Sequence, residues 1–188
     1  MKRLAVFCGS SLGASEAYRE GAIQLGKELA KRNITLVYGG SSIGLMGAVA
    51  DTVISEGGHA IGVIPRALEE REISHKGLTE LIKVETMHER KAKMADLSDG
   101  FVVLPGGTGT LEEFFEVFTW GQIGLHQKPC GLLNIEHYYD PLLSLFDHMI
   151  NQKFLQEKFR SMVIIKERSD ELLDKFINYQ PPTIKTYE

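Results

Sequence analysis

The sequence predicts an α/β fold in which helices cover both faces of one parallel sheet, the doubly wound arrangement of Rossmann-like proteins. Short, continuously apolar runs recur along the chain, and stretches with helical spacing of apolar residues separate most of them. Continuous apolar runs are typical of strands buried on both faces, and their alternation with helices indicates parallel pairing. Three of the runs end in glycine-bearing turns, which suit ligand binding at the carboxyl ends of parallel strands.

The elements follow one another in a regular order. An aliphatic run at 4–8 precedes helical spacing at 16–31, a run at 34–38 precedes spacing at 45–55, and a run at 60–64 precedes a polar stretch at 65–79. Runs at 81–84, 101–104, 131–135 and 162–165 precede helical spacing at 88–97, 111–123, 141–152 and 170–179. The stretch 65–79 lacks clear periodicity, which favours a loop over the ligand crevice.

The length of 188 residues suits one domain. We predict a single nucleotide-binding domain at residues 1–180 and a loose tail at 181–188, because Pro181 and Pro182 cannot continue a helix.

Composition and charge exclude several classes of function. The net charge of −4 and the isoelectric point near 5.9 argue against a surface for nucleic acid polymers, although a local cluster of cations could hold a small anion. No apolar run reaches membrane-spanning length and the N-terminus does not resemble a signal peptide, so a cytoplasmic location is expected. Cys8 and Cys130 adjoin apolar runs outside any CxxC pair, which indicates buried free thiols, and the histidines show no metal-ligand spacing.

Three glycine-bearing turns are expected at the same edge of the sheet. Gly9 and Ser10 follow the first run, Gly39 and Gly40 follow the second, and residues 105–110 follow the run at 101–104. The free N–H groups of a helix that begins at such a turn attract anions. Neither the dinucleotide fingerprint nor the P-loop motif occurs, so the turns predict a nucleotide or sugar-phosphate crevice of another kind.

The predicted helix at 88–97 carries two cations on its inward face. Positions 87, 90, 91, 94 and 98 share one helical face, and Met87 and Met94 mark that face as inward. Arg90 and Lys91 lie between them. Either their aliphatic stems are buried and their charged heads reach water, or the heads point at an anionic ligand. Arginine suits bidentate contact with phosphate or carboxylate.

Glu113 has a structural and a functional interpretation. Residues 110–113 have the pattern of a capping box, with Thr110 as the N-cap and Glu113 at the third helical position. Glu113 could instead face a ligand, and a nearby helix N-terminus would favour its ionised form. Glu112 and Glu116 are expected to face solvent or a partner.

Several segments together resemble the "lonely guy" family of cytokinin riboside 5′-monophosphate phosphoribohydrolases, long mislabelled as lysine decarboxylases. Residues 105–113 match the PGGxGTxxE signature of that family, and residues 87–91 resemble its MHxRK segment. Residues 38–47 resemble its glycine-rich second turn, and residues 71–73 resemble the segment with its loop glutamate. The likeness runs in order from about residue 4 to residue 151.

The resemblance implies hydrolysis of the N-glycosidic bond of a purine riboside 5′-monophosphate, AMP included, to the free base and ribose 5-phosphate. It implies that Arg90 and Glu113 are the catalytic pair, that no metal or organic cofactor takes part, and that the protein is a homodimer with the site near the interface. The substrate-contacting positions that it implies are Glu72, Lys91, Gly107, Thr108, Gly109, Thr110, Leu111, Glu112 and Thr119. The turns and the inward helix face add Gly9, Ser10, Gly39, Gly40 and Met87 as crevice candidates.

Two other interpretations stay open at this point. A module that binds a nucleotide without cleaving it would use the same turns, with Glu113 as a helix cap. A pyridoxal-phosphate decarboxylase would need a Schiff-base lysine, and no lysine stands in a recognisable context for one. Thr108 stands where plant members of the family usually carry tyrosine, which bears on any preference for prenylated adenine and not on the chemistry.

Overall fold

One sheet of seven strands dominates the computed structural model, which describes residues 1–69 and 74–185. The strands are β1 (Arg3–Phe7), β2 (Thr35–Tyr38), β3 (Ala60–Pro65), β4 (Glu80–Val84), β5 (Phe101–Val103), β6 (Cys130–Leu133) and β7 (Val163–Lys166). The helices are α1 (Glu16–Lys31), α2 (Gly44–Ser55), α3 (Arg66–Glu69), α4 (Met87–Leu97), α5 (Thr108–Gln122), α6 (Asp140–Asn151) and α7 (Ser169–Ile177). All neighbouring strands pair in parallel, which confirms the predicted α/β fold.

The order of strands across the sheet is β4-β3-β2-β1-β5-β6-β7. The chain therefore builds outward from β1 to β4 and then crosses back through α4 to add β5 on the other side of β1. Ala5 pairs in register with Val37 of β2 and with Phe101 of β5. The gap between the loops after β1 and β5 is the topological switch point, where open α/β sheets bind their ligands.

The two faces of the sheet carry separate apolar cores. Leu4 and Val6 of β1 point to the face that α1, α2 and α7 cover, and Ala5 and Phe7 point to the face that α4, α5 and α6 cover. This alternation follows from the two-residue period of a strand. Because helices cover both faces of the sheet, the sequences of the strands are continuous apolar runs.

The predicted loop at 65–79 contains more regular structure than expected. It begins with the short helix α3, and Ser74 forms an isolated β-bridge with Ser41. The N–H of His75 donates to the carbonyl of Gly40 at 3.0 Å. The predicted contact residue Glu72 lies outside the described residues.

The first residues of the predicted tail contact the rest of the protein. The N–H of Lys185 donates to the carbonyl of Gln122 at 2.9 Å, and Lys158 Nζ donates to the carbonyl of Ile184 at 3.0 Å.

Two consecutive tyrosines hold the backbone that follows β5. Tyr139, which is 1% exposed, donates its hydroxyl hydrogen to the carbonyl of Leu104 at 2.6 Å. Tyr138, which is 39% exposed, donates in the same way to the carbonyl of Gly106 at 2.6 Å. The turn between β5 and α5 is therefore tied to the segment after β6.

We expect Tyr139→Phe to lower the free energy of unfolding by about 1–3 kcal/mol, because the buried Leu104 carbonyl loses this hydrogen-bond partner. Tyr138→Phe is the matched control, and it should cost less because water can replace the exposed hydroxyl. Urea unfolding of the two variants measures the difference. Equal losses would show that burial of the Tyr139 hydrogen bond is not what stabilises this turn.

Candidate active site

The three glycine-bearing turns meet at the switch point through their backbones. The N–H of Gly9 donates to the carbonyl of Pro105, and the N–H of Leu45 donates to the carbonyl of Gly9, both at 3.1 Å. Gly44 has a φ of +61°, and a Cβ on it would lie 2.3 Å from the carbonyl carbon of Ser10. Only glycine accommodates both that backbone conformation and that approach.

A cavity of about 300 Å³ opens over these turns. It lies between the carboxyl ends of the central strands and the two helices α4 and α5. Its lining consists of Val6, Cys8, Gly9, Ser10, Gly39, Met46, Met87, Arg90, Gly107, Thr108, Gly109, Thr110, Glu112 and Glu113. The structure thus brings together most of the residues that the sequence predicted.

The N-terminus of α5 forms one wall of this cavity. Gly107 is the N-cap residue, with extended backbone, and the N–H of Leu111 donates to its carbonyl at 3.1 Å. The N–H groups of Thr108, Gly109 and Thr110 belong to the first helical turn, which has no intrahelical acceptors for them. Gly107, Thr108 and Gly109 are exposed, so an anion can approach this first helical turn.

The predicted capping box is wrong. The helix begins at Thr108, three residues earlier than the box requires, so Thr110 is not the N-cap. Glycine and threonine can enter the first turn because their N–H groups need no helical partner there. Glu113 is then in the second turn, where its side chain is buried and cannot reach back to the helix start. Instead it faces α4.

Arg90 extends from α4 beneath the carboxyl ends of β2 and β3. Its Nε donates to the carbonyl of Val63 at 3.2 Å, and its Nη1 lies 3.8 Å from the sulfur of Met87. Arg90 is 8% exposed, so the predicted inward orientation is confirmed. Met87, by contrast, is 40% exposed and lines the cavity, so the inward position predicted for it does not bury it.

Arg90 and Glu113 form a buried pair at the base of the cavity. Arg90 Nη1 lies 3.7 Å from Glu113 Oε1, and both side chains are about nine-tenths buried. Burial raises the pKa of Glu113 to about 7, although the charges of Arg90 and Lys91 oppose the shift. The charges of Glu112 and Glu116 add to it. Desolvation thus disfavours the ionised form of Glu113, which the sequence predicted to be favoured near a helix N-terminus.

Lys91 faces away from the cavity. It is 5% exposed, and its Nζ pairs with Glu112 and lies 3.1 Å from Glu116 Oε2. Both carboxylates pair with Lys91; Glu112 is exposed, as the sequence predicted, whereas Glu116 is partly buried. Because Glu112 also lines the cavity, Lys91 neutralises a carboxylate beside the helix N-terminus.

Three further predicted positions lie outside the cavity lining. Leu111 packs partly buried against the α4–α5–α6 core, and Thr119 is exposed on α5. Gly40 packs near Gly62 of β3. Within a single chain, none of these three residues lines the cavity.

The sequence analysis missed Val6, Cys8 and Met46 in the cavity lining. Cys8 and Met46 adjoin the glycine-bearing turns in the sequence, and this proximity could have identified them as lining residues. Cys8 is a buried free thiol, and burial raises its pKa well above the ordinary value, with the charge of Glu113 adding to the shift. The thiol therefore stays protonated and is not a thiolate nucleophile.

Other sites fit an anion less well. Within residues 1–69 and 74–185, no group of three His, Cys, Asp or Glu side chains could hold a metal ion. A cavity of about 290 Å³ beside α1 and α7 is lined by Glu28, Glu167 and Asp170, and its Arg168 is paired with Asp170 at 2.6 Å. Carboxylates dominate that cavity, so it disfavours an anionic ligand.

Comparisons with known proteins identify the family of this chain. Residues 46–176 match a protein-family model described as "possible lysine decarboxylase". A cytokinin riboside 5′-monophosphate phosphoribohydrolase of Arabidopsis thaliana is 50% identical over 180 residues, which cover 96% of this chain and 84% of the relative. One of Oryza sativa subsp. japonica is 48% identical over 180 residues, with 96% and 74% covered.

Among solved structures, a molybdenum cofactor binding protein of Rippkaea orientalis matches with a TM-score of 0.71. The match covers 94% of this chain and 97% of that one, at 22% sequence identity, and shows a shared fold. The identity to the plant enzymes is far higher and extends over nearly the whole chain. This protein therefore belongs to the family of the cytokinin riboside 5′-monophosphate phosphoribohydrolases.

Proposed function

We propose that this protein hydrolyses the N-glycosidic bond of purine riboside 5′-monophosphates, releasing the base and ribose 5-phosphate. AMP and adenine nucleotides with an N6 substituent, as in cytokinins, are the proposed substrates. The family membership supports this activity, because the relatives are named for it. We also propose that residues 1–180 act as one nucleotide-binding domain.

The observation that carries the proposal is the position of a buried arginine–glutamate pair beside an open helix N-terminus. The first turn of α5 would hold the 5′-phosphate through the N–H groups of Thr108, Gly109 and Thr110, with the threonine hydroxyls close by. Arg90 and Glu113 line the same cavity. A ribose attached to that phosphate would then lie next to the Glu113 carboxylate.

The proposed reaction breaks the bond between C1′ of the ribose and the purine nitrogen. The electron pair of that bond leaves with the base, and C1′ develops oxocarbenium character, which the Glu113 carboxylate stabilises. Water adds its oxygen to C1′, and its proton passes through Glu113 to the base. A pKa of about 7 suits Glu113 for accepting and returning a proton near neutral pH.

Arg90 contributes charge and not a proton. Its guanidinium would hold the ribose or phosphate and stabilise negative charge on the departing base. It is a poor proton donor because its pKa is far above neutral. These roles need no metal and no organic cofactor.

The two rival interpretations have less support. Burial beside the proposed anion site disfavours the charged form of Glu113. A module that only binds nucleotides would gain nothing from such a carboxylate. A Schiff-base lysine for pyridoxal phosphate would have to line the cavity, and among the described residues none does. Lys91 is paired with Glu112 and Glu116 instead.

We further propose a homodimer, as the family resemblance implies. Exposed apolar side chains support a contact surface: Leu125, shortly after α5, is 69% exposed, Leu145, within α6, 44%, and Phe154, shortly after α6, 88%. Sedimentation equilibrium should give twice the chain mass. The mass of a single chain at micromolar concentration would contradict this.

We propose a cytoplasmic location on the basis of the sequence. In the described part of the chain, no helix has the length and hydropathy that crossing a bilayer requires. Fractionation of cells that express the protein tests the proposal.

We expect the purified protein to release adenine from AMP and the free base from isopentenyladenosine monophosphate, and Glu113→Gln to lower kcat/KM by about 100-fold or more. Chromatography of the products over a panel of nucleoside monophosphates measures the activity and ranks the substrates. Glu116→Gln is the matched control on the same helix, outside the cavity, and should stay within a few-fold of the original protein.

The glutamine variant should also remain folded. The pKa of Glu113 is raised, so the folded chain keeps a proton that the unfolded chain loses, and stability falls as pH rises through about 7. The uncharged amide of glutamine at position 113 removes this loss of stability. Release of no base by the original protein from any nucleotide would refute the hydrolase, and full activity in Glu113→Gln would refute the role of that carboxylate.

We expect the activity to fall as pH decreases through about 7, because burial raises the pKa of Glu113 and the carboxylate form is required. Substrate phosphate titrates about one unit lower, with a second pKa near 6. Titration of the Glu113 carboxyl group itself avoids this overlap. The titration is followed by ¹³C NMR of protein with labelled glutamate, and the Glu113 resonance is assigned by its loss in Glu113→Gln. A midpoint near 4.5 would contradict the expectation.

We expect Lys91→Met to raise KM for AMP roughly fivefold, because a freed Glu112 carboxylate repels the phosphate by about 1 kcal/mol. Adding Glu112→Gln should then restore KM. If Lys91 contacted the substrate directly, as the resemblance implies, the second substitution would restore nothing. Thermal unfolding of both variants serves as the folding control.

A further inference from the structure

Gly39 lies at the end of β2, directly under the guanidinium of Arg90. A Cβ on Gly39 would lie 2.0 Å from Arg90 Nη2, 3.2 Å from its Cζ and 3.1 Å from the sulfur of Met46. Real Cβ atoms do not approach other atoms to 2.0 Å. Any side chain at position 39 therefore requires the guanidinium to move.

The backbone does not explain a glycine at this position. Gly40, the next residue, has a φ of +80°, whereas the φ of Gly39 is outside the left-handed region that favours glycine. The φ of Gly39 therefore does not by itself require a glycine. The missing side chain thus provides space and not conformational freedom.

The guanidinium that fills this space has contacts on other sides. Its Nε donates to the carbonyl of Val63, and its Nη1 lies near the sulfur of Met87 and the carboxylate of Glu113. A displacement from Gly39 must lengthen at least one of these contacts. The atom that meets the new Cβ is the far end of a flexible side chain, so the fold can adapt while the guanidinium is misplaced.

We propose that Gly39 is the positioning residue for Arg90, setting the place of the guanidinium in the cavity by having no side chain. Gly39 acts through Arg90, and it is not a catalytic residue. This inference rests on the proposed function for its kinetic readout. Misplacing a reacting or charge-stabilising group by about 1 Å can cost roughly 100-fold in rate.

The test is a double-mutant cycle of Gly39→Ala and Arg90→Lys. The lysine ammonium ends near the level of Cζ, one bond short of Nη2, so it largely avoids the new Cβ. We expect Gly39→Ala to lower kcat/KM for AMP roughly tenfold or more when Arg90 is present. In the Arg90→Lys background the same change should alter kcat/KM less than twofold.

Gly21→Ala is the matched control. A Cβ on Gly21 would lie 2.1 Å from Cδ1 of Ile135, a similar overlap with a flexible side chain on the other face of the sheet. It should leave kcat/KM unchanged, with any loss confined to thermal stability. Equal losses from Gly39→Ala in both backgrounds, or none in either, would overturn the proposal.

Two measurements keep the proposal testable if other expectations fail. If the original protein releases no base, the affinity for AMP measured by calorimetry replaces kcat/KM in the cycle. Failure of the proposed activity is then distinguished from failure of this inference. If Gly39→Ala does not fold, the Gly39→Ala/Arg90→Lys protein should fold, because the overlap is relieved. A double variant that is also unfolded would refute the inference.

Discussion

The site depends on the burial of two opposite charges where α4 and α5 meet. Arg90 and Glu113 are both about nine-tenths buried and lie 3.7 Å apart. Removing a charge from water is costly unless a partner and hydrogen bonds compensate, and a separation of 3.7 Å compensates in part. Glu113 therefore retains a raised pKa of about 7, and the pair is poised between charged and neutral states.

The topology of the sheet creates this meeting. The chain reaches β4 at one edge and returns through α4 to β5 beside β1, so α4 passes beneath the ends of β2 and β3. That path places Arg90 against Val63 and Gly39. The helix that follows β5 then presents its open first turn and Glu113 to the same cavity. In the proposed reaction, the helix start holds the phosphate and the buried pair acts on the sugar and base.

Local patterns predicted much of this arrangement. The boundaries predicted for α1 agree with those observed, and the other predicted strands and helices are present with ends shifted by a few residues. The apolar spacing around Arg90 correctly placed it on an inward face. The capping box failed because the pattern of Thr110 and Glu113 is equally compatible with a helix that begins at Thr108, and sequence spacing does not distinguish the two starts.

By itself, the sequence determined the parallel sheet, the glycine-bearing turns at its edge and the inward side of α4, because these follow from periodicity and backbone chemistry within short segments. The tertiary structure alone decided that Arg90 enters the cavity while Lys91 pairs with Glu112 and Glu116. It also decided that burial raises the pKa of Glu113, and that Tyr138 and Tyr139 hold the turn after β5. The reason is physical: desolvation and hydrogen bonding depend on which distant segments are neighbours, and only the packed fold brings those segments together.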